Sequence, residues 1–373
     1  MKNLDEIREV VRDPYGYAKK YKAKTHKKIV GYFCSYAPEE IIWAAGALPF
    51  RIFGRKGNIH LADQHLQSYC CSLVRSVLEE ALSGELNFLD GTIFPHTCDS
   101  IQRLSDIWRL NVSFGFHTDV VLPVKLNTDS AREYMVSVLR VFMADLEKKL
   151  DVTITDDALK ASMTLYDQLR SSLRELYEIR AKCPDIISGS DVYHIVKAAV
   201  IMDREHLLTL LSGVVQELKQ KKPDGVKLDR KRVVISGGVC DFPDIYPLIE
   251  EAGGSVVWDD LCTGMRSFEG DFDKTADPIE AIAGRYLDRV VCPAKHSGLT
   301  NRADHLVRMV REKAAQGVII LLLKFCDPHA FDYPYLKNAL DREGVPSLLL
   351  EVEDQLPSEG QLQTRFEAFL EML

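Results

Sequence analysis

No run of apolar residues in this chain is long enough to cross a bilayer. The longest, residues 318–323, falls far short of the ~20 residues a spanning helix needs. The N-terminal stretch MKNLDEIREVV carries acidic residues and lacks both an apolar core and a small-residue cleavage site, so it reads as an amphipathic helix rather than a secretion signal. These absences predict a cytoplasmic protein with no membrane partner. An excess of basic charge is missing too. With 47 Lys and Arg against 55 Asp and Glu the net charge is −8, which argues against a nucleic-acid partner, since such proteins need a basic surface to displace counterions. The lysines at 19, 20, 22, 24, 27 and 28 read as a solvated face ahead of the first strand. There is no Cys-x-x-Cys pair, so zinc ribbons, thioredoxin-like redox sites and ferredoxin-type runs lack support. No G-x-G-x-x-G or G-x-x-x-x-G-K-[ST] stretch occurs either. Ser236-Gly237-Gly238 therefore reads as a tight turn that lets backbone approach closely, and the chain has no ATP motif of its own.

What is present is the alternation of an α/β protein, over a length that predicts more than one domain. Strands are expected at 29–33, 48–53, 91–94 and 120–122. Helices are expected at 38–45, 66–82, 99–110 and 130–149. A helical stretch follows: Thr155 is a candidate N-cap for a helix to about Lys182, Cys183-Pro184 breaks it, and a further helix covers roughly 191–220. After a linker at 221–225, strands are expected at 232–236, 255–258, 289–291, 318–323 and 347–351. Helices at 244–252, 278–286, 302–315 and 333–342 separate them, and a capping-box helix begins at Ser358. The expected organisation is an N-terminal helical segment (1–27), a first α/β domain (28–150), a helical connection (151–225) and a second α/β domain (226–373). Both α/β domains should be doubly wound parallel sheets of the Rossmann or flavodoxin type.

The nine cysteines fall on this map in a telling way. Cys34, Cys98, Cys240, Cys262, Cys292 and Cys326 each lie just past the carboxyl end of an expected strand, the ligand-binding edge of an open α/β sheet. Cysteines used as core filler belong inside strands and on apolar helix faces instead. Cys70 and Cys71 stand near a helix start, where backbone N–H groups favour thiolate. A soft all-sulfur set drawn from two domains selects zinc, copper(I) or an iron–sulfur cluster, and buried structural cysteine is the competing explanation. Cys183 beside Pro184 is assigned to packing.

Several stretches resemble one family. VGYFCSYAPEEIIWAAGALPFRIFG (30–54), SYCCSLVRS (68–76), DGTIFPHTCDS (90–100), DDLCTGMR (259–266), KFCDPHAFDYPYLK (324–337) and GQLQTRFEAFLEML (360–373) look, in that order, like the 2-hydroxyacyl-CoA dehydratase and benzoyl-CoA reductase family. The resemblance covers nearly the whole chain. It implies a cubane iron–sulfur cluster held by Cys71, Cys98 and Cys326, with Cys71 preferred to Cys70 because it directly precedes the S-x-V-R stretch. Cys34, Cys262 and Cys292 add to this. All six are present in the single-subunit branch known as double-cubane cluster proteins, so the resemblance implies one double-cubane (8Fe-9S) cluster in the crevice between the α/β domains, with a single 4Fe-4S cubane as the alternative. Cys240 is a nearby extra without an assigned role.

The activity this implies is an oxidoreductase that takes low-potential electrons from an ATP-dependent iron–sulfur activator, a homodimeric ATPase of actin-like fold, and reduces a small substrate. One alternative is a cluster-bearing subunit of a 2-hydroxyacyl-CoA dehydratase or benzoyl-CoA reductase, acting on a CoA thioester. Another is a non-catalytic electron-transfer protein. The assembly would be a homodimer, or a heterodimer with a family paralogue. His96, His296, His329 and Glu39 are the candidate proton donors, and a plain capping or electrostatic role competes with each.

Overall fold

The computed structural model describes residues 1–373 except 56, 222–228, 239–243, 290–291 and 354–357. Two helices open the chain, α1 (Lys2–Arg12) and α2 (Pro14–Thr25). The first alternating block is β1 (Ile29–Tyr32), α3 (Glu39–Ala44), β2 (Leu48–Arg51), α4 (Ser72–Leu82), β3 (Gly91–Pro95), α5 (Asp99–Asn111), β4 (Phe116–Val120) and α6 (Asp129–Leu150). Three helices follow, α7 (Asp156–Lys182), α8 (Gly189–Ala198) and α9 (Arg204–Gln220). The second block is β5 (Lys231–Gly237), α10 (Tyr246–Glu251), β6 (Gly254–Asp260), α11 (Met265–Phe268), α12 (Pro278–Asp288), α13 (Asn301–Glu312), β7 (Gly317–Leu323), α14 (Asp327–Arg342), β8 (Ser347–Val352) and α15 (Glu359–Glu371).

The strands form two four-stranded sheets, ordered β2-β1-β3-β4 and β6-β5-β7-β8, parallel throughout. Both therefore share one topology, and in each the order reverses between the first and third strands to appear. That reversal opens a crevice at the carboxyl ends of β1 and β3, and again at β5 and β7. Sequence predicts this because the strands are apolar on both faces. In β1, Ile29 packs into one core while Val30 and Tyr32 pack into another. In β7, Val318 and Ile320 face one core and Ile319 and Leu321 the other. One of these cores runs continuously under both sheets.

Four expectations need correction. The helix anticipated at 66–82 begins only at Ser72, so Cys71 is its N-cap rather than an interior residue. The strand anticipated at 120–122 lies at Phe116–Val120. The single helix at 191–220 is two, divided at Asp203, whose side chain accepts the His206 N–H and caps α9. The helix expected from 333 starts six residues earlier, directly after Cys326, and runs through Pro334. The strand anticipated at 289–291 falls mostly on Val290 and Val291, outside the described residues, as do Cys240 and most of the 221–225 linker. Thr155 caps α7 as anticipated, and Ser358 with Gln361 closes the capping box of α15.

One segment changes sides. Ile279, Ile282, Ala283, Tyr286 and Cys292 join the core made by β1, α3 and α6. The segment crossing over, α12 with Arg289 and then residues 292–297, thus leaves the second sheet and lies along the carboxyl edge of the first. Tyr286 donates to the Ala37 carbonyl at 2.6 Å, and Arg289 donates to the Ser35 carbonyl. The amide of Leu126 donates to the carbonyl of His296 at 2.8 Å.

Candidate metal centre

Six of the cysteines, Cys34, Cys71, Cys98, Cys262, Cys292 and Cys326, occupy the loops where the two carboxyl edges meet. Three of them are helix N-caps: Cys71 for α4, Cys98 for α5 and Cys326 for α14. The positive ends of three helices, 11, 13 and 16 residues long, therefore point at this trio. None closes a conventional side-chain cap. Even so, the backbone amides of Leu73 and Val74 favour thiolate at Cys71, those of Ser100 and Ile101 at Cys98, and that of His329 at Cys326. Burial outweighs them and pushes each thiol up to about 12. Each also feels another of the three: Cys98 acts on Cys71, Cys326 on Cys98, and Cys71 on Cys326.

The other three cysteines stand on bends. Cys34 follows β1 in the left-handed region at φ 60°, which a non-glycine residue rarely adopts. Cys262 follows β6, and its amide donates to the Gly238 carbonyl at 3.1 Å. Cys292 lies within the crossing segment, and its amide donates to the Tyr36 hydroxyl at 3.4 Å. Cys292 and Cys262 share a hydrogen bond that, with Arg266 and His329 alongside, holds Cys262 well below a thiol's ordinary range. The same bond, with burial, pushes Cys292 up. The two trios lie within electrostatic reach of each other: Cys34 acts on Cys98, and Cys262 acts on Cys326. All six cysteines are free of disulfides.

Close approach of backbone makes this possible. A Cβ on Gly237 would lie 2.3 Å from the Leu321 carbonyl oxygen, and one on Gly238 would meet the His329 ring at 3.4 Å. The tight turn read from the sequence is thus where β5 passes β7 and α14.

Among the described residues, no three His, Cys, Asp or Glu side chains gather as ligands of a single ion. A cluster asks for a different arrangement, because its thiolates bind separate iron atoms and stand further apart. It also asks for thiolates kept from water and for N–H groups aimed at sulfur. The six cysteines are buried or half-buried. Arg266 Nη1 and His329 Nε2 are buried beside Cys262 with no hydrogen-bond partner among the described residues. Sulfide and thiolate sulfurs are suitable acceptors for such groups. The residues fit an iron–sulfur cluster.

The 2-hydroxyglutaryl-CoA dehydratase D-component family matches residues 34–373. The chain belongs to this family. It is 27% identical over 372 residues to the (R)-phenyllactyl-CoA dehydratase beta subunit of Clostridium sporogenes, covering 100% of this chain and 99% of that one. It is 29% identical to the beta subunit of the lactoyl-CoA dehydratase of Anaerotignum propionicum, covering 99% and 98%. It is 30% identical to a benzoyl-CoA reductase subunit of Thauera aromatica, covering 91% and 89%. The family is one of enzymes, 2-hydroxyacyl-CoA dehydratases and benzoyl-CoA reductases, as the sequence motifs led one to expect. No helix among the described residues is long and apolar enough to cross a membrane.

The candidate proton donors separate. His96 stands on the cysteine side, in a cavity of about 540 Å³ lined also by Cys98, Lys295, His296 and Phe331. Its Nε2 lies 2.9 Å from Asp119 Oδ1, and Asp119 is further linked through Ser105 to His117. His296 lines the same cavity with an exposed side chain. His329 is buried against Cys262, and burial lowers its pKa. Glu39 points elsewhere: it pairs with Arg204 at 3.0 Å beside Tyr166, inside the core. Cys183 ends α7 and packs against the core shared by both sheets, and Cys70 is half-buried next to Cys71. A larger groove of about 820 Å³, along α7 and α13, touches none of the six cysteines.

Two residues that sequence reading missed belong here. Arg266 sits inside the DDLCTGMR stretch, but nothing in the text marks its orientation. Lys295 lies three residues past Cys292 and is 4% exposed. An interior ammonium is invisible in a sequence with 47 basic residues.

Proposed function

We propose that this member of the family is an iron–sulfur oxidoreductase of the double-cubane type, with Cys34, Cys71, Cys98, Cys262, Cys292 and Cys326 as its ligands. The observation that carries the reading is that all six are buried or half-buried on loops of the two facing carboxyl edges, with Cys34 and Cys262 near enough to Cys98 and Cys326 to act on them electrostatically and Cys292 hydrogen-bonded to Cys262. A single cubane leaves three of these buried thiols without a task. The bound cluster would supply one-electron reduction at low potential. The chain's own residues hold it away from water. His96, with Asp119 behind it, is placed to deliver a proton into the adjoining cavity. Electrons would come from an ATP-dependent iron–sulfur activator, because the sequence holds no nucleotide-binding turn. The substrate would be small, to match the cavity. The division at residues 27, 150 and 225, a cytoplasmic setting and a homodimeric assembly complete the reading.

The second reading keeps the same cysteines but makes the chain one subunit of a dehydratase or benzoyl-CoA reductase on a CoA thioester, paired with a paralogue. Its support is the full-length similarity to chains named as subunits. Iron and acid-labile sulfide in anaerobically prepared protein separate the two: about eight iron atoms per chain on the first reading, about four on the second. A non-catalytic carrier would hold either amount and turn over no substrate, with or without activator.

A further inference from the structure

Among the described residues Lys295 is the one lysine whose side chain is buried. Its side chain is almost wholly buried, and no carboxylate lies within ion-pair distance of it among the described residues. Its Nζ donates instead to two carbonyl oxygens, those of His96 at 3.0 Å and Leu122 at 3.4 Å. Carbonyls satisfy its N–H groups without neutralising its charge. Arg266 and Arg302, by contrast, both face Asp260, at 2.9 Å each, and Arg204 faces Glu39, whereas the buried guanidinium groups of Arg51 and Arg289 donate to carbonyls as Lys295 does but spread their charge over a planar group packed on aromatic rings. A lone interior ammonium is costly unless something negative lies beside it. What Lys295 adjoins is the cysteine loops of both trios: its amide donates to the Cys292 carbonyl at 2.8 Å, its Nζ holds the carbonyl two residues before Cys98, and it lines one cavity with Cys98.

We propose that Lys295 is the countercharge of the thiolate-bound cluster and a residue that sets its reduction potential; this rests on the cluster reading above. Six thiolates and the inorganic sulfides give such a centre net negative charge. Each added electron deepens it. A fixed cation in a low-dielectric crevice stabilises the more reduced state and so raises the potential. Lys295 also straps the loop after Cys292 to the loop before Cys98, but the strap alone needs no charge. The two roles therefore make different predictions.

The test is an EPR-monitored redox titration of anaerobic protein with titanium(III) citrate, which gives up one electron and becomes titanium(IV). Wild type is compared with Lys295→Gln and Lys295→Arg at matched iron content. Loss of the charge should lower the equilibrium constant for reduction about tenfold, a potential about 59 mV more negative for one electron. Lys295→Arg should stay within about threefold of wild type. Unchanged potential in loaded Lys295→Gln overturns the proposal, and so does an equal shift in both variants. If wild type binds no cluster iron, this inference falls with the reading beneath it, whereas a loaded protein with an unmoved potential defeats this inference alone. Should Lys295→Gln load too little iron to titrate, iron-free proteins decide. Lys295→Met at least as stable to urea as wild type supports a buried charge kept for the cluster; a less stable Lys295→Met means the strap is the role.

Discussion

The two trios of cysteines solve one problem in two ways. Cys71, Cys98 and Cys326 sit on helix N-termini, where backbone dipoles supply roughly half a positive charge each. Cys34, Cys262 and Cys292 cap no helix, and side chains supply the field there: Arg266, His329 and Lys295. The first arrangement is fixed as soon as the helices fold. The second depends on buried acids that hold Arg266 and the crossing segment in place, and on the carbonyls that hold Lys295. Asp260 faces Arg266 and Arg302. Glu40 faces Arg170 and Arg285 and accepts from Tyr286 at 3.3 Å, which seats α12 on α3. The first trio should therefore be the robust half and the second the tunable one.

The largest test of that difference is ligand removal. Serine at Cys71, Cys98 or Cys326 should abolish or severely lower cluster content, whereas serine at Cys34, Cys262 or Cys292 should leave a partial cluster with about half the iron. Iron and sulfide analysis with EPR reads the result. Equal iron loss from both trios would erase the distinction, and full iron in Cys326→Ser would remove the ligand assignment itself.

The next effect is on the fold beneath the second trio. Asp260→Asn leaves Arg266 and Arg302 facing a neutral side chain in the interior, at a cost of about 3–5 kcal/mol. Urea unfolding should show this loss, together with impaired iron content. If the variant is as stable as wild type, the buried network does not support that side.

Glu40→Gln sharpens the same point through pH. Burial alone would raise the Glu40 carboxyl, but Arg170 and Arg285 prevail and lower it. Its contribution is then complete above the ordinary carboxylate range near ~4.3 and is lost as pH falls through the lowered folded value. The stability gap between wild type and Glu40→Gln should be about 3 kcal/mol at pH 7 and narrow below about pH 4. A gap that stays constant into acid would show that the pair contributes no ionic stabilisation.

How much of this was legible in the sequence follows from how local each signal is. Strand edges, the capping box at Ser358 and the Thr155 cap depend on neighbouring residues, and they were readable. The position of Cys34, Cys98, Cys262 and Cys326 past the ends of β1, β3, β6 and β7 was readable because sheet topology fixes where loops go. The start of α4 was misjudged because the apolar residues Leu66 and Leu73 mimic a longer helix, while Cys71 in extended backbone at ψ 149° ends it. The crossing of α12 onto the first sheet depends on contacts such as Tyr286 with Ala37, 249 positions apart, and no local pattern announces it. Lys295 and Arg266 were missed for the same reason. Glu39 does stand in the first turn of α3, as its place before an apolar run suggests, but only the fold reveals Arg204 opposite it, which turns it from the cysteines.

The smallest effect concerns a backbone angle. Cys34 holds φ 60°, while Cys98 holds an extended −138°. A non-glycine residue in the left-handed region costs on the order of 1–3 kcal/mol, and glycine removes that cost while adding about 0.5–1 kcal/mol of unfolded-state entropy. In iron-free protein, Cys34→Gly should therefore be neutral or stabilising by about 1 kcal/mol, even though a partly buried side chain is lost. Cys98→Gly has no strain to relieve and should destabilise by about 1 kcal/mol. With the cluster loaded, both variants should lose iron. Stability that rises while cofactor binding falls identifies a residue kept for its ligand and not for the fold. Urea midpoints of the reduced, iron-free proteins measure the sign. If Cys34→Gly destabilises as much as Cys98→Gly, the turn after β1 carries no stored strain, and the contrast between a trio on relaxed helix ends and a trio on a constrained bend fails at its first member.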